Sequence, residues 1–238
     1  MHHRPVACLA LLLAWLQLAA RAAGPTPEAS TFAPNLEIVD VPSASVLYAR
    51  MFHLNVRAFR GGGIMMKATA SFNNSLGIGL GVKANNVIGN GTVTFDDQPV
   101  AAVAKIKLIT LPAYGISTAI GYDGLAYDVT RQKGVYGVVT KDLGAAGLVF
   151  RGHAGAGAVR FRNFNSKRDV NLFVGADAAL SEEVFLGAEY DDMLFNKGSC
   201  NLAAGYAWDV GLRLELDFKS LFRGVNRHYR VLKILYTF

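Results

Sequence analysis

Leu232-Lys233-Ile234-Leu235-Tyr236-Thr237-Phe238 closes the chain, and its large apolar side chains Leu232, Ile234, Tyr236 and Phe238 fall on every second residue. Successive side chains of a strand point to opposite faces, so this run is a β-strand with one apolar face. An apolar strand left unpaired at a terminus is a template for aggregation unless another strand covers it. A closed barrel supplies that strand.

The same alternation recurs upstream. Phe52, Leu54, Val56 and Ala58 oppose His53, Asn55 and Arg57, and Leu76, Ile78, Leu80 and Val82 alternate with glycines and Lys83. Val184, Leu186, Ala188 and Tyr190 oppose Glu189 and Asp191, and Leu212, Leu214, Leu216 and Phe218 oppose Arg213, Glu215, Asp217 and Lys219. The pattern predicts twelve strands, or ten if the segments at Gly63 and Gly134 are not both strands. Polar residues from Asn85 to Gln98 read as a connection before a strand over Val100 to Thr110, and short connections alternate with longer ones. Segments of about 9–11 residues match a tilted strand crossing hydrocarbon, and an even strand count with short and long connections is the plan of an outer-membrane barrel. The fold class is therefore all-β, a transmembrane antiparallel up-and-down barrel. The final seven residues also look like the C-terminal signal that the barrel-assembly machinery of bacterial outer membranes reads.

A soluble sandwich or lipocalin-like barrel alternates as well. Charged residues crowd the minor face, which excludes that face from a soluble core. Tyr114, Tyr122, Tyr190, Trp208, Tyr236 and Phe238 lie near strand ends on the apolar face, as interfacial aromatic girdles do. Together these favour lipid outside and a polar lumen inside.

The N-terminus independently argues for export. Arg4, the apolar run Leu9 to Leu18 and the small-x-small site Ala20-Arg21-Ala22 make residues 1–22 a signal peptide. Residues 23–49, mixed and punctuated by proline, read as a periplasmic segment placed to tuck into or under the barrel, and residues 50–238 as the barrel itself. The 25 glycines are spread through alternating segments, as in closely packed sheets, and are not gathered in linkers. The formal charge of +6 is modest and dispersed, with no basic cluster interleaved with aromatics, so no nucleic-acid partner is implied. Cys8 falls within the leader, so only Cys200 is expected in the mature chain, which excludes an internal disulfide and a cysteine zinc site.

Several short motifs occur in an order that resembles YjbH-like outer-membrane proteins. They are Val41-Pro42-Ser43-Ala44-Ser45-Val46-Leu47, Asn86-Val87-Ile88-Gly89-Asn90, Gly121-Tyr122-Asp123-Gly124, Lys133-Gly134-Val135-Tyr136, Gly175-Ala176-Asp177 and Leu186-Gly187-Ala188-Glu189-Tyr190-Asp191-Asp192. The resemblance spans nearly all of the chain after the leader. It implies a place in the outer membrane and an association with export or surface display of exopolysaccharide.

Strand parity defines the candidate site. Early strands line the lumen with Arg57, Lys67, Lys83, Lys105 and Lys107, and late strands with Asp177, Glu189, Asp191, Asp209, Glu215 and Asp217; Arg151 and Arg213 share this polar face. Opposed basic and acidic walls either orient a passing polar solute or pair across and close the lumen. His53, His153 and His228 are the available bases, and no Gly-x-Ser-x-Gly elbow accompanies them, so no enzyme is predicted. Asp96-Asp97 and Asp191-Asp192 lack the ligand spacing of a calcium loop, and no cofactor or metal is expected. The expected partners are outer-membrane lipid, the barrel-assembly machinery and polar solutes or polysaccharide. The leading functional reading is a narrow porin-like channel or an export-associated component. The competing one is a non-conducting structural or adhesin-like barrel, whose basic connections Arg160 to Arg168 and Arg223 to Arg230 touch polyanions.

Overall fold

Every alternating segment pairs antiparallel with its sequence neighbours, and the terminal strand pairs with the first. The computed structural model describes residues 35–125, 127, 133–144, 149–158, 170–191, 193, 198–222 and 229–238. Its strands are β1 (Phe52–Phe59), β2 (Gly63–Asn73), β3 (Leu76–Asn85), β4 (Thr94–Leu111), β5 (Ile116–Asp123) and β6 (Gly134–Asp142), followed by β7 (Val149–Ala158), β8 (Val170–Ala179), β9 (Val184–Asp191), β10 (Ser199–Ala207), β11 (Leu212–Lys219) and β12 (Tyr229–Thr237). They form one closed ring in chain order. The seam is β1 against β12, with Val56 opposite Ile234 and Arg57 opposite Lys233. Phe52 N–H donates to the Phe238 carbonyl at 2.8 Å, and Phe238 N–H donates back at 3.0 Å. No edge is left exposed, which answers the aggregation problem posed by the terminal strand.

The segments at Gly63 and Gly134 are both strands, so the ten-strand count falls. One boundary also moves. β4 begins at Thr94, within the stretch read as a polar connection, because Thr94 and Phe95 pair with Asn85 and Ala84 beyond a register shift in β3. Residues 1–34, which hold the predicted leader and the first part of the predicted periplasmic segment, the connection Arg160 to Arg168, and Arg223 to His228 lie outside the described residues.

Leu80, Ile106, Ile120, Leu214, Leu216, Leu232 and Ile234 point outward and are exposed along the ring. Water would penalise such a surface, whereas lipid tails match it. At the mouth where β1 begins and β12 ends, the near mouth, aromatic side chains cluster on the outside. Phe52 stacks on Phe238 at 5.7 Å, Phe238 on Tyr236 at 5.3 Å, and Tyr206 meets Trp208 edge-on at 4.8 Å. Amphipathic rings favour such an interface.

A twelve-strand ring is wider than the eight-strand barrels that side chains alone can fill. Here residues 35–47 enter the lumen as a hairpin. Ile38 N–H donates to Val41 at 2.9 Å and Ser43 N–H to Leu36 at 3.1 Å, so the chain reverses tightly at Val39-Asp40. Ile38, Val39, Val41 and Ala44 pack in one apolar layer with inward-facing Ala119, Tyr136, Val138, Phe173, Phe185 and Ala203. Glycines on the wall make room for it. A Cβ on Gly175 would overlap Ile38 Cδ1, and one on Gly187 would lie 2.7 Å from Ile38 Cγ2.

Candidate functional site: the lumen and its hairpin

Asn35 and Leu47, the two described ends of the hairpin, lie toward the near mouth, and its apex points to the far one. At the base, Arg213 donates to Asn35 at 2.8 Å and Ser71 to the Leu47 carbonyl at 2.9 Å. At the apex, the N–H groups of Val39, Asp40 and Val41 converge on the Glu189 carboxylate at 2.8–3.0 Å. Three successive amides around one anion form a nest, the arrangement by which backbone binds negative charge. Asn201 adds a further donor to Glu189 at 2.7 Å.

The hairpin's own carboxylates turn to cations of the wall. Glu37 pairs with Arg57 and Lys67, and Asp40 with Lys219 and, at 2.9 Å, Arg57. Its carbonyls are held too. Lys105 Nζ donates to the carbonyls of Leu36, Ser43 and Ser45 at 2.8–3.1 Å, and Lys233 Nζ to those of Ile38 and Val39 at 3.2 and 3.0 Å. Ammonium groups at carbonyl oxygens and amides at a carboxylate leave few buried polar groups of the hairpin unmatched.

From the far side, Tyr127, between β5 and β6, reaches the lumen cations. Tyr127 accepts from Lys67 at 2.8 Å and donates to Asp123, and Arg57 lies 4.8 Å over its ring. Lys133, buried beside β6, pairs with Asp191. Voids of about 40 and 10 Å³ lie among the described lumen residues, lined respectively by groups such as Glu37, Lys67 and Lys105 and by Arg57, Lys83 and Lys219. Both are water-sized spaces.

The other parity residues divide among distinct environments. Lys83 lies 5.4 Å from the Phe59 ring, and half-buried Lys107 sits at the register shift of β4 toward the near mouth. Arg151 and His153 both bind Asp177, at 2.6 and 2.9 Å, and Asn35 of the hairpin also donates to it at 3.0 Å. Arg213 pairs with Glu215 at 2.5 Å, while Lys233 bridges Glu215 and Asp217 at 3.3 and 2.9 Å. Asp209 is the exception. It lies in the exposed turn between β10 and β11, outside the lumen, because β10 ends at Ala207 before the parity pattern reaches it. The candidate set also leaves out Asp123, Lys219 and Lys233, which face inward on strands already recognised, and Glu37, Asp40, Tyr127 and Lys133, which lie outside strands and carry no period to betray them.

Thr140, His153 and Asp177 are linked in series at 2.9 Å each, the connectivity of a hydrolytic triad. The threonine oxygen is buried, however, and accepts the Ala44 amide at 2.8 Å, so no substrate carbonyl reaches it while the hairpin is seated. His53 is occupied by Thr237 at 2.9 Å. The carboxylates of Asp40, Glu189 and Asp191 approach one another closely enough to suggest a cation site. Lys133, Lys219 and the amide nest already supply their positive partners.

The electrostatics set a pH response. Burial alone would raise the Glu37 carboxyl, but Arg57, Lys67 and Lys233 together hold it well below its ordinary value; burial likewise opposes ionisation of Asp40, and Lys219 and Arg57 more than offset it. A carboxyl depressed in the seated state stabilises that state above its free pKa and loses the contribution as pH falls through the depressed value. The hairpin is therefore expected to stay seated at neutral pH, to weaken as pH drops below about 4, where free carboxyls titrate, and to release only in stronger acid. Amide exchange at Val39, Asp40 and Val41 across that range checks this; release already near pH 6 contradicts it.

An apolar, aromatic-belted outside, a charged inside and twelve strands closed in antiparallel order define an outer-membrane β-barrel, and the protein belongs in the bacterial outer membrane. Among solved structures, it is similar in fold to the outer membrane protein Omp33 of Acinetobacter baumannii, with a TM-score of 0.50, 12% identity and coverage of 80% of this chain and 98% of that one. The KdgM porin aligns with a TM-score of 0.48 at 16% identity, over 79% of this chain and 99% of its own. No protein-family model and no curated protein matches the chain.

Proposed function

We propose that the protein is a gated porin-like barrel, closed while residues 35–47 occupy the lumen and open to polar solutes when the hairpin withdraws through the near mouth. One observation carries this reading: the plug is a hairpin whose described ends, Asn35 and Leu47, both lie toward one mouth, held to the wall by ion pairs and hydrogen bonds. Such an element can leave without unthreading the ring. Its apolar contact consists of the layer around Ile38, Val39, Val41 and Ala44, with Val46 and Leu47 buried nearer the base. Saccharide export, which the YjbH-like resemblance implies, would be one use of such a path. The reading contains no catalytic step.

The sealed lumen supports a second reading, a non-conducting structural or surface-interaction barrel. Planar-bilayer recording separates the two. Full-length wild type is expected to be mostly silent at neutral pH. The double variant Glu37→Gln/Asp40→Asn, shown to be folded by heat-modifiable migration, is expected to pass current. A folded variant whose hairpin amides exchange freely and which still passes none would overturn the gate and leave the structural barrel.

A further inference from the structure

The hairpin occupies the lumen in the manner of an anionic ligand. Both carboxylates paired with Arg57 belong to it, as does the one paired with Lys219. Lys67 divides its contact between Glu37 and the more distant Asp123, at 3.7 Å, and Lys105 spends three hydrogen bonds on hairpin carbonyls. Withdrawal removes these partners together. Arg57, Lys67, Lys105 and Lys219 come from four different strands, so no single strand's movement can restore their pairing.

From this arrangement we propose that the vacated lumen is a binding site for linear polycarboxylates, for which Glu37 and Asp40 are the built-in stand-ins; the proposal rests on the gated reading above. Carboxylates would take the places of Glu37 and Asp40 beside Arg57, Lys67 and Lys219. Neutral oxygens between them would face Lys105, as the hairpin carbonyls do. An unpaired cation in a confined lumen is costly, and an anion that pairs with it binds the withdrawn state in preference to the seated one. Such a solute therefore both passes through the barrel and favours its opening, because the seated hairpin excludes it. Glu189 marks the limit of the site: without the amide nest it presents its own negative charge, which confines the polycarboxylate to the basic side.

Binding to detergent-purified Glu37→Gln/Asp40→Asn protein, measured by calorimetry, tests the site without relying on conductance. The probes are an oligouronate and an oligoglutamate, each beside a neutral oligomer of the same length. Both acidic probes are expected to bind at least about tenfold more tightly than their neutral counterparts, and added salt should weaken them. Adding Arg57→Met and Lys219→Met should erase the difference. Preference for one acidic probe assigns the source, saccharide or peptide. Equal binding of acidic and neutral probes, or a preference that survives loss of Arg57 and Lys219, overturns the site. If the parent variant conducts while binding shows no preference for acid, the gate stands and the solute class falls. If it neither conducts nor discriminates, both fall.

Discussion

Arg57→Ala is expected to unseat the hairpin at neutral pH while leaving the ring closed. Arg57 is buried and touches both hairpin carboxylates, Glu37 and Asp40, while lying over Tyr127. Removing one partner of a buried ion pair costs roughly 3–5 kcal/mol, chiefly because it leaves the other charge uncompensated. Lys67 and Lys219 still reach one carboxylate each, which keeps the loss at the lower end of that range. Even about 3 kcal/mol shifts the seated population by roughly two orders of magnitude. Amide exchange at Val39, Asp40 and Val41 should accelerate to match, and protease should gain access to residues 35–47. Strand amides at the β1–β12 seam should remain protected. Because Arg57 also fills space, Arg57→Met separates charge from volume. If Met preserves the seat, packing and not pairing holds the hairpin.

The ring was legible because its determinants are local and periodic. A period of two assigns Leu54, Val56 and Leu214 to one face and Asn55, Arg57 and Glu215 to the other, and one slip in register would invert every assignment. Chain order then fixes the neighbours. The hairpin has no such signature. Its buried contacts join residues such as Asn35 with Asp177 and Asp40 with Glu189, more than a hundred positions apart, and no spacing in Leu36 to Leu47 announces them. Its seat was written as glycine at positions 175 and 187, where a small residue on an inward parity looks like ordinary barrel spacing. β4 misled for a similar reason: its first residues are identified by pairing with Ala84 and Asn85, while their neighbours have the composition of a loop.

Opposed walls posed a choice between an oriented channel and a lumen closed by direct pairing. The hairpin resolves it by meeting both. Its side chains neutralise Arg57, Lys67 and Lys219, and its backbone amides neutralise Glu189. A peptide can do this because each unit carries a donor and an acceptor regardless of its side chain. Direct pairs persist between adjacent strands of the ring, as at Arg151 with Asp177 and Lys233 with Asp217. Elsewhere the inserted segment spans the gap.

Glu189 tests that bridge from the acidic side. Glu189→Ala removes the acceptor of three hairpin amides and of Asn201, yet it also relieves repulsion with Asp40 and Asp191. The two effects oppose each other, so their sizes decide. Leaving a buried donor unsatisfied costs about 1–3 kcal/mol, and hydrogen bonds to a charged acceptor are stronger than neutral ones. Lys133 and Lys219 already screen the neighbouring carboxylates, which makes the relief the smaller quantity. The net expectation is a loss of roughly 1–3 kcal/mol of seating, after allowing water into the space left by the side chain. Exchange at Val39, Asp40 and Val41 should quicken about tenfold to a hundredfold, and bilayer recordings should show intermittent openings that wild type lacks. Glu189→Gln keeps one carbonyl oxygen for the nest and removes the charge, so it should fall between wild type and alanine. Slower exchange in both variants would mean that carboxylate repulsion dominates, and that the apex is seated in spite of Glu189 and not because of it.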